Sequence, residues 1–238
     1  MLTEKPWRPD RVLRLVAGFY AAMILGIIVG AGYKGALAPS AANDVISFLL
    51  GILAFHGTTL VIVHLFLRQH RISWTEAFGF NEPRLGRTIL LGVVVSVVVL
   101  PIALSLGSLT EQIVRLFSPA AEFKDQLPVE MLKQASSVYD LAMKAIAAII
   151  FAPIIEEVVF RGVMYPAVKK YFSPQTALWA VAVIFALSHP FNVRALLPLV
   201  VIGIILSFLY ETTRNLLAPM IAHALFNAAN FVLFLYQR

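Results

Sequence analysis

The apolar residues of this chain do not alternate with polar ones, and they do not form a single stripe. They run on for about the 20 residues that a helix needs to cross a hydrocarbon layer roughly 30 Å thick, with short polar breaks between runs. The pattern predicts helices near 13–33, 45–67, 88–117, 137–171, 176–189, 195–212 and 216–236. The runs are too long and too continuous for the alternating strands of a membrane barrel, and helices satisfy their own backbone in lipid. The expected fold is therefore all-α, a polytopic transmembrane bundle of about seven or eight helices, since 238 residues leave room for short loops only. Gly26 and Gly30 form a small-xxx-small pair, expected to pack closely on another helix. The stretch from Thr110 to Ser137 mixes Glu111, Arg115, Glu122, Lys124, Asp125, Glu130 and Lys133 with apolar residues and is expected to be an extramembrane loop or an interfacial helix. Two parts are expected: residues 1–136, N-terminal helices and a connecting amphipathic region, and residues 137–238, which hold the chemistry.

Composition agrees with lipid as the solvent, with 60% hydrophobic and 13% charged residues. The absence of cysteine removes disulfides, thiolate metal ligands and a thiol nucleophile together. The net charge of +6 does not point to nucleic acid, because the basic residues flank apolar runs. Lys5, Arg8, Arg11 and Arg14 precede the first run, and Arg68, Arg71, Arg84 and Arg87 separate the second from the third, so both segments, and the N-terminus, are expected on the cytoplasmic side. Leu15 to Tyr33 is long enough to span, and Pro39 follows the Ala36-Leu37-Ala38 candidate cleavage site, so an uncleaved first helix is expected. The expected location is a multi-pass position in a bacterial cytoplasmic membrane.

The informative residues are polar ones inside apolar helices, where a charge near the bilayer centre costs roughly 3 kcal/mol even on lenient scales. Glu156, Glu157 and Arg161 share one helix. Glu157 and Arg161 are four apart and can pair on one face, while Glu156 points about 100° away and stays free. Pro153 is expected to loosen the turn ahead of them. His189 ends an apolar stretch, and His223 and Asn227, four apart, project from one face of the last helix. Glu156 lies 14 residues before Lys170, and His189 lies 14 after Gln175, each roughly 21 Å of helix, so the two can meet at one depth. His223 and Asn227 fall roughly 12–18 Å along helix seven from the same side. The long helix at 137–171 exceeds the bilayer and could project into the cytoplasm, raising the site toward that face. Asp140 is expected as a helix-start or interfacial residue and His70 as cytoplasmic surface. His56 and His64, eight apart, are expected to pack with a polar partner rather than to line a transport path.

Glu-Glu-x-x-x-Arg at 156–161, Phe185-x-x-x-His189 and His223-x-x-x-Asn227, the last led by Leu216-Leu-Ala-Pro-Met-Ile-Ala, resemble the CPBP family over roughly residues 145–232. That family comprises CAAX prenyl endopeptidases and bacteriocin-processing or immunity proteins, including relatives of the lysostaphin resistance protein A type. The resemblance implies an active site inside the membrane in which Glu156, helped by His189, activates a water, while His223 and Asn227 stabilise the oxyanion. Glu157 and Arg161 then hold the helix and bias the protonation of Glu156. Burial disfavours the charged form of a carboxylate, which suits a general base near neutral pH. The family includes proteins described as metalloproteases and as metal-independent glutamate proteases. Glu156, His189 and His223 could bind Zn with water in the fourth position, and the sequence leaves both forms open.

The expected activity is hydrolysis of a peptide bond in a membrane-associated peptide or protein, with the lipid bilayer as surroundings and no nucleic-acid partner. A non-catalytic immunity or scaffold protein using the same polar cluster is the alternative, and a transporter is third, since no matched broken helices occur in two halves. No Gly-x-Ser-x-Gly elbow, His-Glu-x-x-His pair or Gly-x-Gly-Asp motif is present to support another protease chemistry.

Overall fold

The computed structural model describes residues 2–121, 123, 127–189 and 193–237, so Glu122, Lys124 and Asp125 lie outside the described residues. The described residues form α1 (Pro9–Ala36), α2 (Ala41–His70), α3 (Trp74–Phe78), α4 (Leu85–Phe117), α5 (Leu127–Lys133), α6 (Val138–Lys169), α7 (Pro174–Leu187), α8 (Val193–Thr213) and α9 (Leu217–Gln237). Six of these, α1, α2, α4, α6, α8 and α9, are long and apolar enough to cross a membrane, and α7 is a shorter apolar helix. The chain is all-helical over the described residues and is an integral, multi-pass membrane protein. Within the doubtful stretch after Thr110, α4 continues through Glu111 and Arg115 to Phe117, and α5 carries Glu130 and Lys133.

Close approach of α1 and α2 rests on the predicted small residues. A Cβ on Gly26 would stand 2.7 Å from the Gly51 carbonyl, and one on Gly51 would stand 2.9 Å from the Gly26 carbonyl. At Gly30 the gap admits Ser47, whose Oγ donates to the Gly30 carbonyl at 2.8 Å. Such contacts substitute for hydrophobic association, which lipid does not drive.

The start of α6 is capped at Ser137, whose hydroxyl accepts from the Asp140 amide at 3.1 Å, while Asp140 Oδ2 accepts from the Ser136 amide at 2.9 Å and from Lys144 at 2.8 Å. From Glu157 to Ala167 every residue of α6 is buried, so this length of helix is the axis of the molecule. Its far end is enclosed by the N-terminal segment and α3. Trp7, 1% exposed, donates through Nε1 to the Gly162 carbonyl at 3.3 Å, and Lys169 Nζ reaches the Leu2 carbonyl at 3.1 Å and Glu211 Oε1 at 2.6 Å. α3 ends at Gly79 with φ 74°, where a Cβ would strike the Arg214 carbonyl, and Leu216 donates its amide to the Phe78 carbonyl at 2.9 Å. Arg8, Arg11, Arg68, Arg71, Lys169, Lys170 and Arg214 therefore collect at one end of the bundle.

Two prolines shape α6. Pro153 and Pro166 bring no N–H, and each follows a π-helical segment, Ala147–Phe151 and Val158–Met164. The loosening expected ahead of Pro153 is the first of these. Carbonyls left short of a donor in lipid must be served by a neighbouring element. Trp7 serves Gly162 ahead of Pro166, and Asn227 Nδ2, from α9, donates to the Ala148 carbonyl ahead of Pro153 at 2.8 Å.

His64 has the expected polar partner, accepting at Nδ1 from Trp74 Nε1 at 3.3 Å. His56 does not. It lies in a π segment of α2, buried beside Phe55 and Phe151, and neither ring nitrogen has a hydrogen-bond partner among the described residues. His70 is not plain surface either. It accepts from the Arg8 amide at 3.3 Å and packs edge-on to Trp7, because the N-terminal segment folds back over the end of α2.

Candidate active site

The register of α6 separates its two glutamates. Glu157 faces the protein interior, where its Oε1 accepts from Arg161 Nη1 at 2.8 Å, one helical turn on, and both side chains are fully buried. Glu156, about 100° away, is 21% exposed and turns toward α7 and α9. Its Oε1 lies 4.0 Å from His189 Nε2, and its Oε2 lies 3.8 Å from His223 Nε2.

Each imidazole is oriented by the hydrogen bond on its other nitrogen. His189 Nδ1 lies 2.9 Å from the Phe185 carbonyl, which can only accept, so Nδ1 carries the proton. His223 Nδ1 lies 2.9 Å from Glu157 Oε1, and there too the carboxylate accepts. In the neutral rings both Nε2 atoms thus present lone pairs toward Glu156. The gaps of 4.0 and 3.8 Å are too long for direct hydrogen bonds and are of the size that one bridging water spans.

Arg161 is held by more than Glu157. Its guanidinium carbon stands 4.3 Å from the centre of the Phe185 ring, and Nη2 donates to the Gly203 carbonyl at 3.4 Å. Phe185 in turn meets His189 edge-on at 4.9 Å and His223 at 6.0 Å between ring centres. One aromatic ring therefore packs against three of the site's side chains. Glu157 Oε2 and Arg161 Nε have no hydrogen-bond partner among the described residues.

Of the six residues picked from sequence, Glu156, Glu157, Arg161, His189 and His223 form one connected cluster drawn from α6, α7 and α9. Asn227 sits one turn beyond His223 on the same helix, but its amide nitrogen is engaged at the Ala148 carbonyl. Glu156, His189 and His223 are of the right chemistry for zinc, and their ring tautomers match those of metal-binding histidines. They are not gathered tightly. Among the described residues no three His, Asp or Glu side chains converge on one ion position. A cavity of about 240 Å³ lies elsewhere, under the N-terminal segment beside Lys5, Glu76, Glu82 and Arg214, and includes none of these groups.

Sequence reading missed two contacts of the site. Ser188 precedes His189 and is hydrogen-bonded to Tyr20 of α1 at 2.7 Å, and Trp7 reaches the residue next to Arg161. A tyrosine or tryptophan in a membrane protein gives no periodic signal that separates such a contact from ordinary packing.

No curated protein and no solved structure matches this chain. Residues 139–229, which contain all six of these side chains, match the family described as type II CAAX prenyl endopeptidase Rce1-like.

Proposed function

We propose that this protein is an intramembrane endopeptidase that hydrolyses a peptide bond in a membrane-associated substrate, with residues 137–238 as the catalytic core and residues 1–136 as its membrane scaffold. The observation that carries the reading is the free carboxylate of Glu156 facing two imidazole Nε2 atoms at 4.0 and 3.8 Å, each ring fixed from behind. A water held between them gives its proton to Glu156 as its oxygen attacks the scissile carbonyl. His189 orients that water. His223 takes up a solvent proton at Nε2 before the attack and keeps it through the cycle, so that this N–H donates to the developing oxyanion while Glu157 balances its charge through Nδ1. The tetrahedral intermediate collapses with cleavage of the C–N bond, and the proton on Glu156 passes to the departing amine. Asn227 acts by holding the π segment at Ala148, and its second amide hydrogen is available to the oxyanion. The basic end of the bundle is placed in the cytoplasm by its Lys and Arg residues, with the N-terminus on that side.

The test is proteolysis of a membrane-peptide library by the purified protein in detergent or liposomes, read by mass spectrometry. Wild type is compared with Glu156→Gln and His189→Ala, each with and without chelator. Cleavage by wild type, a loss of about 10²-fold or more in both folded variants, and no effect of chelator are expected. Loss on chelation would replace Glu156-only activation with a metal-assisted step. Absence of cleavage by well-folded wild type would overturn the peptidase reading in favour of an immunity or scaffold role.

A further inference from the structure

We infer that Tyr20, on α1, is a positioning residue for His189 and acts through Ser188; this rests on the peptidase reading for its kinetic consequence and on geometry alone for its structural one. Tyr20 Oη and Ser188 Oγ are 2.7 Å apart. Ser188 Oγ also stands 2.8 Å from the Ile184 carbonyl, which can only accept, so the single hydroxyl proton of Ser188 is directed there. Tyr20 must then be the donor in the first bond, and the two form a directed chain from Tyr20 to Ser188 to the Ile184 carbonyl.

That chain closes the last turn of α7, where His189 is set. α7 ends at Leu187, and its final carbonyls need partners from beyond the helix. Ser188 closes on Ile184, while His189 closes on Phe185 through Nδ1 at 2.9 Å and on Ala186 through its amide at 3.1 Å. The turn is thus tied internally by α7 and externally by α1. The external anchor is itself fixed to the glutamate-bearing helix, since Phe19, next to Tyr20, packs on Phe160 with ring centres 6.0 Å apart, and Phe160 precedes Arg161. Tyr20 therefore references the position of His189 to α6, across a gap to Glu156 of 4.0 Å. At such a gap a shift of about 1 Å decides whether one water can touch both groups, and displacements of that size cost up to about 10²-fold in rate. Tyr20 lies outside the matched segment 139–229, so the N-terminal helices take part in setting the site.

The experiment uses the full chain in detergent micelles with Tyr20→Phe, Ser188→Ala and the double variant. The first arm measures kcat and KM on a cleaved peptide. The expected result is a fall in kcat of about 10- to 10²-fold with KM unchanged in each single variant, and no further fall in the double, because both remove the same link. The second arm needs no catalysis: ¹⁵N-histidine NMR reads which ring nitrogen carries the proton, with the His189 signal among the five histidines assigned by its loss in His189→Gln. Wild type should give the Nδ1-protonated ring at His189, and Tyr20→Phe should shift that signal toward a mixture of tautomers. If wild type cleaves nothing, the peptidase reading falls and the NMR arm alone judges the link. Unchanged His189 signals in Tyr20→Phe and Ser188→Ala, or kinetic losses that multiply in the double variant, overturn the inference.

Discussion

Arg161→Met should unfold this protein far more readily than an ordinary core substitution of similar volume. Arg161 and Glu157 have no exposed side-chain surface, and among the described residues their 2.8 Å contact is the only ion pair Arg161 makes. Methionine fills most of the arginine stem but leaves the Glu157 carboxylate buried beside an apolar group. Breaking a buried pair from one side costs about 3–5 kcal/mol, because the remaining charge keeps its desolvation penalty without its partner. His223 Nδ1 still donates to Glu157 at 2.9 Å, so the lower end, about 3 kcal/mol or roughly 150-fold in the unfolding equilibrium, is the appropriate figure. Adding Glu157→Gln removes the orphaned charge while keeping an acceptor for His223, so the double variant should regain about 2 kcal/mol. The assay is SDS-titrated unfolding in mixed micelles followed by tryptophan fluorescence, with Trp7 packed one residue from the substituted position through Gly162. A single variant within about 1 kcal/mol of wild type, or a double variant no more stable than the single, would refute the argument that Glu157 is charged and depends on Arg161.

The same unfolding assay separates three further substitutions. Asn227→Ala removes the donor at the Ala148 carbonyl and should cost about 1–3 kcal/mol, whereas a loss below a few tenths would mean that the π segment satisfies itself. Gly26→Val places a Cβ against the Gly51 backbone, where nothing can yield, and should cost at least about 1–3 kcal/mol and loosen α1 from α2; hydrogen exchange at Gly51 reads the second effect. His56→Leu should be neutral or stabilising by about 1 kcal/mol, since it removes two buried ring nitrogens that have no partner among the described residues, and a marked loss would reveal an interaction that His56 makes with a ligand or water.

The positions of the spanning helices were legible because lipid makes long apolar runs unambiguous, and the paired spacing of Glu157 and Arg161 was legible because residues four apart share a helix face. The depth of Glu156 and His189 also followed from counting residues along two helices that meet at one turn. Partners across helices did not follow. His56 and His64 differ only in what neighbouring helices offer them, and counting eight residues between them could not separate an unpartnered ring from one held by Trp74. Nor could the spacing of Asn227 show that it also serves the Ala148 carbonyl, which Pro153 leaves short of an N–H one helix away. Local sequence, then, determined what each helix contains and which face carries its polar groups, because those depend on hydropathy and helical period. Which nitrogen of His223 faces Glu156 was decided only by tertiary packing, because its Nδ1 is fixed by Glu157 from another helix, whereas His189 takes its Nδ1 partner from Phe185 one turn back and owes to tertiary packing only the contact of Ser188 with Tyr20.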